Sequence, residues 1–289
     1  MTAAALTTIG SLGGIVDESF LRYAFLAGTA IALASGIVGY FVVLRSQVFT
    51  GDALSHVAFT GALAALAAGA DLLIGLYGAC ILVGLAMAAL GPRGEADDTV
   101  VGSVFAWVLG LGALFLRIYV TSSSGANGTS GVNVLFGTIF GLSASQAMVD
   151  AAIAVGVCVV MIVIGRPLLL ASVDGAVASA RGIPVRVLGF VFLGLVGVTA
   201  AAATQAVGAL LLLGLIAAPA GTAQRLTARP FTGMWLAAGL AVFSTWAGLV
   251  IAYEAPAIPP SFGILAVATG LYLTAIAVTA NGRRAAVSG

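Results

Sequence analysis

The feature that most constrains this chain is its run of 38 residues, Val187–Gln224, without one charged side chain. A helix that crosses a bilayer needs about 20 predominantly apolar residues, so the run is long enough for two crossings. Similar apolar stretches recur between polar breaks along the chain. They predict an all-α, polytopic transmembrane helical bundle of about nine spans, at residues 23–44, 53–70, 72–90, 99–119, 146–165, 187–204, 206–224, 231–253 and 262–280. The breaks leave eight or ten spans open as alternatives. Composition agrees: only 7% of residues are charged, against about a quarter in soluble domains. The abundant Ala and Gly suit close helix–helix contact in lipid. No polar linker separates soluble domains, so residues 1–289 read as a single transmembrane domain.

The breaks differ in kind. Residues 91–98 form a solvated loop, and the Ser/Gly/Asn cluster at 121–130 is an aqueous turn region. Val132–Leu142 is apolar but too short to cross. It is expected to be a short re-entrant or interfacial helix before the fifth span. Arg166–Arg186 is the longest polar interruption after that span, and Glu254–Pro260 is a proline-rich loop. In this count Arg45, Arg93, Arg166, Arg181, Arg186, Arg225, Arg229, Arg283 and Arg284 share one side of the membrane, with only Arg22 and Arg117 opposite. The positive-inside rule makes the arginine-rich side cytoplasmic, with the C-terminus inside and the N-terminus outside.

Several functions are excluded at this level. Eleven basic against ten acidic residues give no electrostatic case for nucleic acid. The chain has no lysine, so no Walker A lysine, and any ATP must be bound by another chain. Cys80 and Cys158 sit singly in apolar runs and read as packed residues. Residues 1–15 lack a basic leader and are not read as a cleaved signal.

Chemistry concentrates in Gly51-Asp52-Ala53-Leu54-Ser55-His56. His56 is the only histidine in the chain. Asp52 and His56 are four apart and share one helical face. A carboxylate and an imidazole at that spacing can hold a divalent cation such as Mn, Fe or Zn. An ionisable side chain inside a membrane costs about 2.5–3.5 kcal/mol on insertion scales, and so needs a reason to be there. The plain structural alternative makes Asp52 a helix N-cap after Gly51 and His56 a packed polar residue. Ser55 reads as a packing residue, Asp71 as an interfacial one. Thr204 and Gln205 mark the expected break between two spans and carry no assigned role. Asn127 and Asn133 fall in an outer loop.

Four ordered motifs resemble the membrane permease subunits of the zinc/manganese/iron class of ABC importers. They are the G-D-A-x-S-H segment at Gly51, Asp52, Ala53, Ser55 and His56; the L-F-G-x-x-x-G-x-S segment at Leu135, Phe136, Gly137, Gly141 and Ser143; the S-x-D…A-R-G-x-P segment at Ser172, Asp174, Ala180, Arg181, Gly182 and Pro184; and V-G-x-L-L…P-A at Val207, Gly208, Leu210, Leu211, Pro219 and Ala220. The resemblance spans roughly residues 20–282. It implies a transport subunit that is not itself an enzyme, in a bacterial plasma membrane. The implied partners are cytoplasmic ATP-binding subunits, an extracellular or periplasmic metal-binding protein and a second permease chain. The metal is transported cargo; no permanent cofactor is implied. By the same resemblance Asp52 and His56 are metal contacts of the pathway, and Ser172, Asp174, Ala180, Arg181 and Gly182 belong to an ATPase-coupling segment. Locally, Ser172–Gly182 reads as a short helix with Asp174 in its first turn and Gly182 as its stop. Two other functions stay open: a secondary transporter driven by protons or sodium, and a permease for a metal chelate such as a siderophore. In the linear count Asp52 falls near the cytoplasmic end of the second span. Either the first span ends before Leu44, or the pair lines an inner vestibule.

Overall fold

A computed structural model describes residues 19–91, 94–122, 137–209 and 212–287. Among the described residues there are ten α-helices and one 3-10 turn, and no strand. The helices are α1 (Ser19–Leu44), α2 (Val48–Ala67), α3 (Leu72–Leu90), α4 (Asp98–Ser122), α5 (Ala144–Val173), α6 (Gly175–Ala180), α7 (Val185–Val207), α8 (Leu212–Leu226), α9 (Pro230–Glu254) and α10 (Pro260–Val287). Seven of them (α1, α3, α4, α5, α7, α9 and α10) are long and apolar enough to cross a membrane. The chain is a multi-pass helical bundle; eight of the expected spans lie largely on one helix each, whereas the one expected at 206–224 is divided, with 206–207 on α7 and 212–224 on α8. Two of those helices do not meet the same measure. α8 has 15 residues, about 22 Å at 1.5 Å per residue, against a hydrocarbon core of about 30 Å. α2 is long enough but carries Asp52, His56 and several hydroxyl side chains.

α1 and α7 form the interior. α1 packs against α5, α7, α8 and α9, and α7 against α2, α3 and α5. Phe41 and Phe192 are among the largest fully buried side chains, with Ile31, Ile37 and Leu193. α4 lies outermost, docked chiefly on α2, and α10 lies against α8 and α9. Small residues set the spacing, as expected where lipid gives no apolar driving force between helices. Gly61 of α2 and Gly75 of α3 meet face to face, so that a Cβ on either would lie within 2.4 Å of the other's carbonyl oxygen.

Several boundaries depart from the sequence expectation, each for a visible reason. α2 begins at Val48, not at residue 53: Gly51 and Asp52, which interrupt the apolar run, lie inside the helix, and Gln47 sits at its N-cap position. The Asp52 N-cap alternative is thereby excluded. α1 does reach Leu44, so an earlier end of the first span is excluded too. α5 runs past Arg166 and through Pro167 to Val173 because Leu168 and Ala171 keep its buried face going. The coupling helix is shorter than expected. It covers only Gly175–Ala180, with Ser172 on the preceding helix and Asp174 before the first turn as its N-cap. α7 continues through Thr204 and Gln205 to Val207, and the break comes at Gly208, whose φ of 95° suits glycine. Of the expected re-entrant helix, Val132–Phe136 lies outside the described residues, as do Leu210 and Leu211; the remainder supplies only the 3-10 turn Ile139–Gly141.

Candidate functional site

Asp52 and His56 lie at the fifth and ninth positions of α2, one turn apart on one face. Both are half-buried. At 1.5 Å per residue, His56 lies about 12 Å into the helix and Asp52 one turn nearer its start. The face they share looks onto α4. The His56 ring meets the Phe105 ring edge-on, with centroids 5.2 Å apart and planes at 76°. Asp52 lines a cleft of about 300 Å³ with Phe49, Asp98, Val101, Gly102 and Phe105. The cleft thus brings a second carboxylate, from the first turn of α4, toward the α2 pair. Between them in sequence, Ser55 is fully buried and its hydroxyl donates to the Asp52 backbone carbonyl at 2.7 Å. Its hydroxyl proton is committed to that carbonyl. Among the described residues no three His, Cys, Asp or Glu side chains converge closely enough to hold a metal by themselves. Asp52 and His56 thus present one carboxylate and one imidazole on a single face of α2, with the Asp98 carboxylate across the cleft from Asp52.

The second segment of interest, Ser172–Gly182, sits at one end of the bundle. The Asp174 carboxylate accepts from the backbone N–H groups of Ala176 and Val177, both at 2.9 Å. Ala178 is the buried anchor of α6, whereas Asp174, Ala180, Arg181 and Gly182 are exposed. Gly182 has φ +77°, a left-handed conformation that ends the turn. Val173 and Val177 are also exposed, at 74% and 41%. Nearby, the Arg45 guanidinium is nearly buried (4% exposed) and binds Glu95 at 2.5 Å and Ser172 Oγ at 3.4 Å, over the Phe192 ring. Burial pushes the Arg45 pKa down, and the Glu95 charge opposes that. Gln224 donates to the Tyr40 carbonyl at 3.1 Å, so the arginine-bearing end of α8 lies at this same end.

At the opposite end the remaining motifs meet. Gly137 has φ +76°, and a Cβ there would lie 2.3 Å from the Ala206 carbonyl oxygen. Thr138 N–H donates to the Gln205 carbonyl, and Ser143 caps α5 in a reciprocal box with Gln146. Thr204 and Gln205 are buried, each with a side-chain oxygen that has no partner among the described residues. Asp71 caps α3 by accepting from Leu73 N–H. Cys80 is buried and Cys158 half-buried, both as free thiols.

Sequence reasoning missed three participants. The polar run 91–98 reads as a solvated loop, but Asp98 opens α4, and its place on the Asp52 cleft follows from the docking of α4 on α2, which no local spacing records. The Arg45–Glu95 pair joins residues 50 apart. The Tyr77 hydroxyl donates to buried Asp150 at 3.0 Å, tying α3 to α5. An aspartate within an apolar run was the available signal for that one.

This fold and these motifs define a membrane transport subunit. The chain belongs to the ABC 3 transport family, which residues 17–279 match. It is 30% identical over 239 residues to the manganese transport system membrane protein MntC of Halalkalibacterium halodurans, covering 81% of this chain and 79% of that one. It is 27% identical over 244 residues to the manganese import system permease protein ScaB of Streptococcus parasanguinis, covering 84% and 85%. Among solved structures, PsaBC from Streptococcus pneumoniae in complex with Fab superposes with a TM-score of 0.79 over 91% of this chain and 93% of that one, at 22% identity. That likeness concerns the fold.

Proposed function

We propose that this chain is the permease subunit of an ATP-driven importer of a divalent transition metal. The observation that carries the reading is the Asp52–His56 pair, held one turn apart on the face of α2 that meets α4, with Asp52 lining a cleft it shares with Asp98 and His56 packed on Phe105 of the same cleft. A bound cation offsets the cost of placing both groups in a bundle, because it pairs with the carboxylate and takes the imidazole lone pair. Two protein ligands per chain, completed by water or a second permease chain, also suit a site that must release its cargo. α4, which covers the pair from one side, turns an exposed apolar face outward (Trp107, Leu111, Leu114), a surface available to a second permease chain or to lipid. The names of the relatives favour manganese; zinc and iron stay open.

In this reading ATP is hydrolysed on separate subunits, and a solute-binding protein delivers the ion. α6 with its flanks is the coupling segment, Asp174 as its cap, Ala180, Arg181 and Gly182 as its exposed end, and Ser172 at its root. The exposed Val177 on α6, outside the membrane-crossing helices, and the exposed Val173 at the very end of α5 support a docking role. The bundle sits as one permease domain of nine spans in a bacterial plasma membrane, α2 and α8 included, with the C-terminus cytoplasmic. Asp52 then lies in the inner half, which matches the inner-vestibule alternative.

The test is metal uptake into vesicles containing the chain, its ATPase and its binding protein. Asp52→Asn and His56→Ala should each lower ATP-dependent Mn²⁺ uptake by at least about tenfold, the lower range for disturbing a metal site, with membrane insertion unchanged. Full uptake in His56→Ala would make the pair structural. Uptake driven by a proton or sodium gradient without ATPase would favour a secondary transporter, and transport of a chelate in preference to the free ion a siderophore-type permease.

A further inference from the structure

The Arg45 cluster joins four separate elements around one guanidinium. Arg45 itself ends α1 and opens the tight reversal into α2: its N–H bonds the Phe41 carbonyl, and Gln47 N–H returns to the Val42 carbonyl across Ser46, which has φ +56°. Glu95 lies in the connection between α3 and α4. That connection is pressed onto α7, where a Cβ on Gly94 would lie 2.7 Å from the Arg186 carbonyl and one on Gly189 2.3 Å from the Gly94 carbonyl. Phe192, under the guanidinium at 5.1 Å, belongs to α7. Ser172 stands on the last turn of α5, two residues before the Asp174 cap of α6. Asp52 follows Arg45 by seven residues, on the helix that the reversal launches.

Resting on the reading above, we propose that Arg45 is a positioning residue that couples the α5–α6 segment to the start of α2, and so to the Asp52–His56 pair. The asymmetry of its bonds indicates how. The Glu95 bond is short and charge-assisted, on a loop held by close backbone contacts, so Arg45 stays anchored there. The Ser172 bond is long, at 3.4 Å, and Ser172 Oγ also donates to the Leu168 carbonyl at 2.6 Å. It is the contact that changes when α6 is displaced. A planar fork reaches two acceptors at once; an ammonium on a flexible stem does not reproduce that geometry. Displacement of α6 is thus read by Arg45 and passed through the three-residue reversal, which has little freedom to absorb it.

The experiment measures Mn²⁺ moved per ATP hydrolysed by the reconstituted full complex. Arg45→Lys keeps a charge for Glu95 but loses the fork, and Ser172→Ala removes only the far contact. Each should lower the metal-to-ATP ratio by about fivefold or more, the lower end of typical site-to-site couplings. The double variant should fall no further than the worse single one, because both break the same link. Melting temperature and ATPase retention are measured alongside, since a merely structural role would move those and leave the ratio alone. Should Arg45→Lys fail to assemble, Ser172→Ala decides by itself, with the Arg45–Glu95 bond intact. A wild-type ratio in Ser172→Ala, or losses that add in the double variant, overturns the proposal. If the unmodified complex moves no metal with ATP, the importer reading fails first, and this inference with it.

Discussion

The α2–α3 contact permits a controlled measurement. Gly75→Ala places a methyl 2.3 Å from the Gly61 carbonyl oxygen and 2.5 Å from the Ala65 side chain. Ordinary contact begins near 3.4 Å, so the two helices must part by about 1 Å, and the nearest obstacle is rigid backbone. Overpacking of this kind costs about 1–3 kcal/mol. Working against it, any Gly→Ala change inside a helix gains about 0.8–1.0 kcal/mol of propensity. Gly78→Ala, one turn along the same helix, has nothing among the described residues within 4 Å of its new methyl and supplies that gain without the clash. The difference between the two variants therefore isolates the overpacking cost of about 1–3 kcal/mol, because propensity cancels. Cys80 is the reporter: its thiol is fully buried and reacts with a maleimide dye only as the bundle opens, while Cys158 is replaced by Ala to remove background. Gly75→Ala should label at a temperature several degrees below Gly78→Ala. It should also impair metal uptake more, since parting α2 from α3 shifts the helix carrying Asp52 and His56. Equal labelling temperatures would refute the inference that the glycine pair fixes the position of α2.

The other expectations are brief. Asp174→Ala removes the cap of a six-residue helix and should cost about 0.5–2 kcal/mol locally and weaken ATPase retention, whereas Asp174→Asn, an equally good cap, should retain it; equal retention by both would show that the cap is irrelevant to docking. In a background without Cys80 and Cys158, a cysteine replacing exposed Ala70 should react with an impermeant thiol reagent from outside, and one replacing exposed Ala228 only after permeabilisation. The opposite pattern would reverse the orientation inferred from the arginines.

The helices were legible because lipid imposes a length and a polarity on each of them, and both are written locally. Their ends are less so, because a polar residue inside a helix looks locally like a break. Gly51 and Asp52 interrupt an apolar run yet lie inside α2, and Arg166-Pro167 do the same within α5. In both places the buried face continues through the polar residues, and that face is fixed by neighbours the sequence does not name. Polarity alone marks Thr204-Gln205 as the break after α7, but those side chains are buried and the turn is made by Gly208, the residue able to take a positive φ.

The candidate site divides along the same line. Asp52 and His56 share a face because four residues make a turn, which is local and was readable. Asp98 faces the Asp52 cleft only because α4 docks on α2, and Glu95 meets Arg45 only because the connection before α4 is pressed onto α7 through Gly94 and Gly189. Those glycines look like any others in a chain that contains 39 of them. What distinguishes them is a carbonyl oxygen of the facing segment, standing where a Cβ would go. The long-range part of the site is therefore encoded in which glycines lack room for a methyl, a property of pairs of helices and not of any one segment. The same logic makes the cluster around Arg45 sensitive to backbone spacing: a methyl on Gly189 would push the Glu95 loop away from α7 while leaving every charged residue in place.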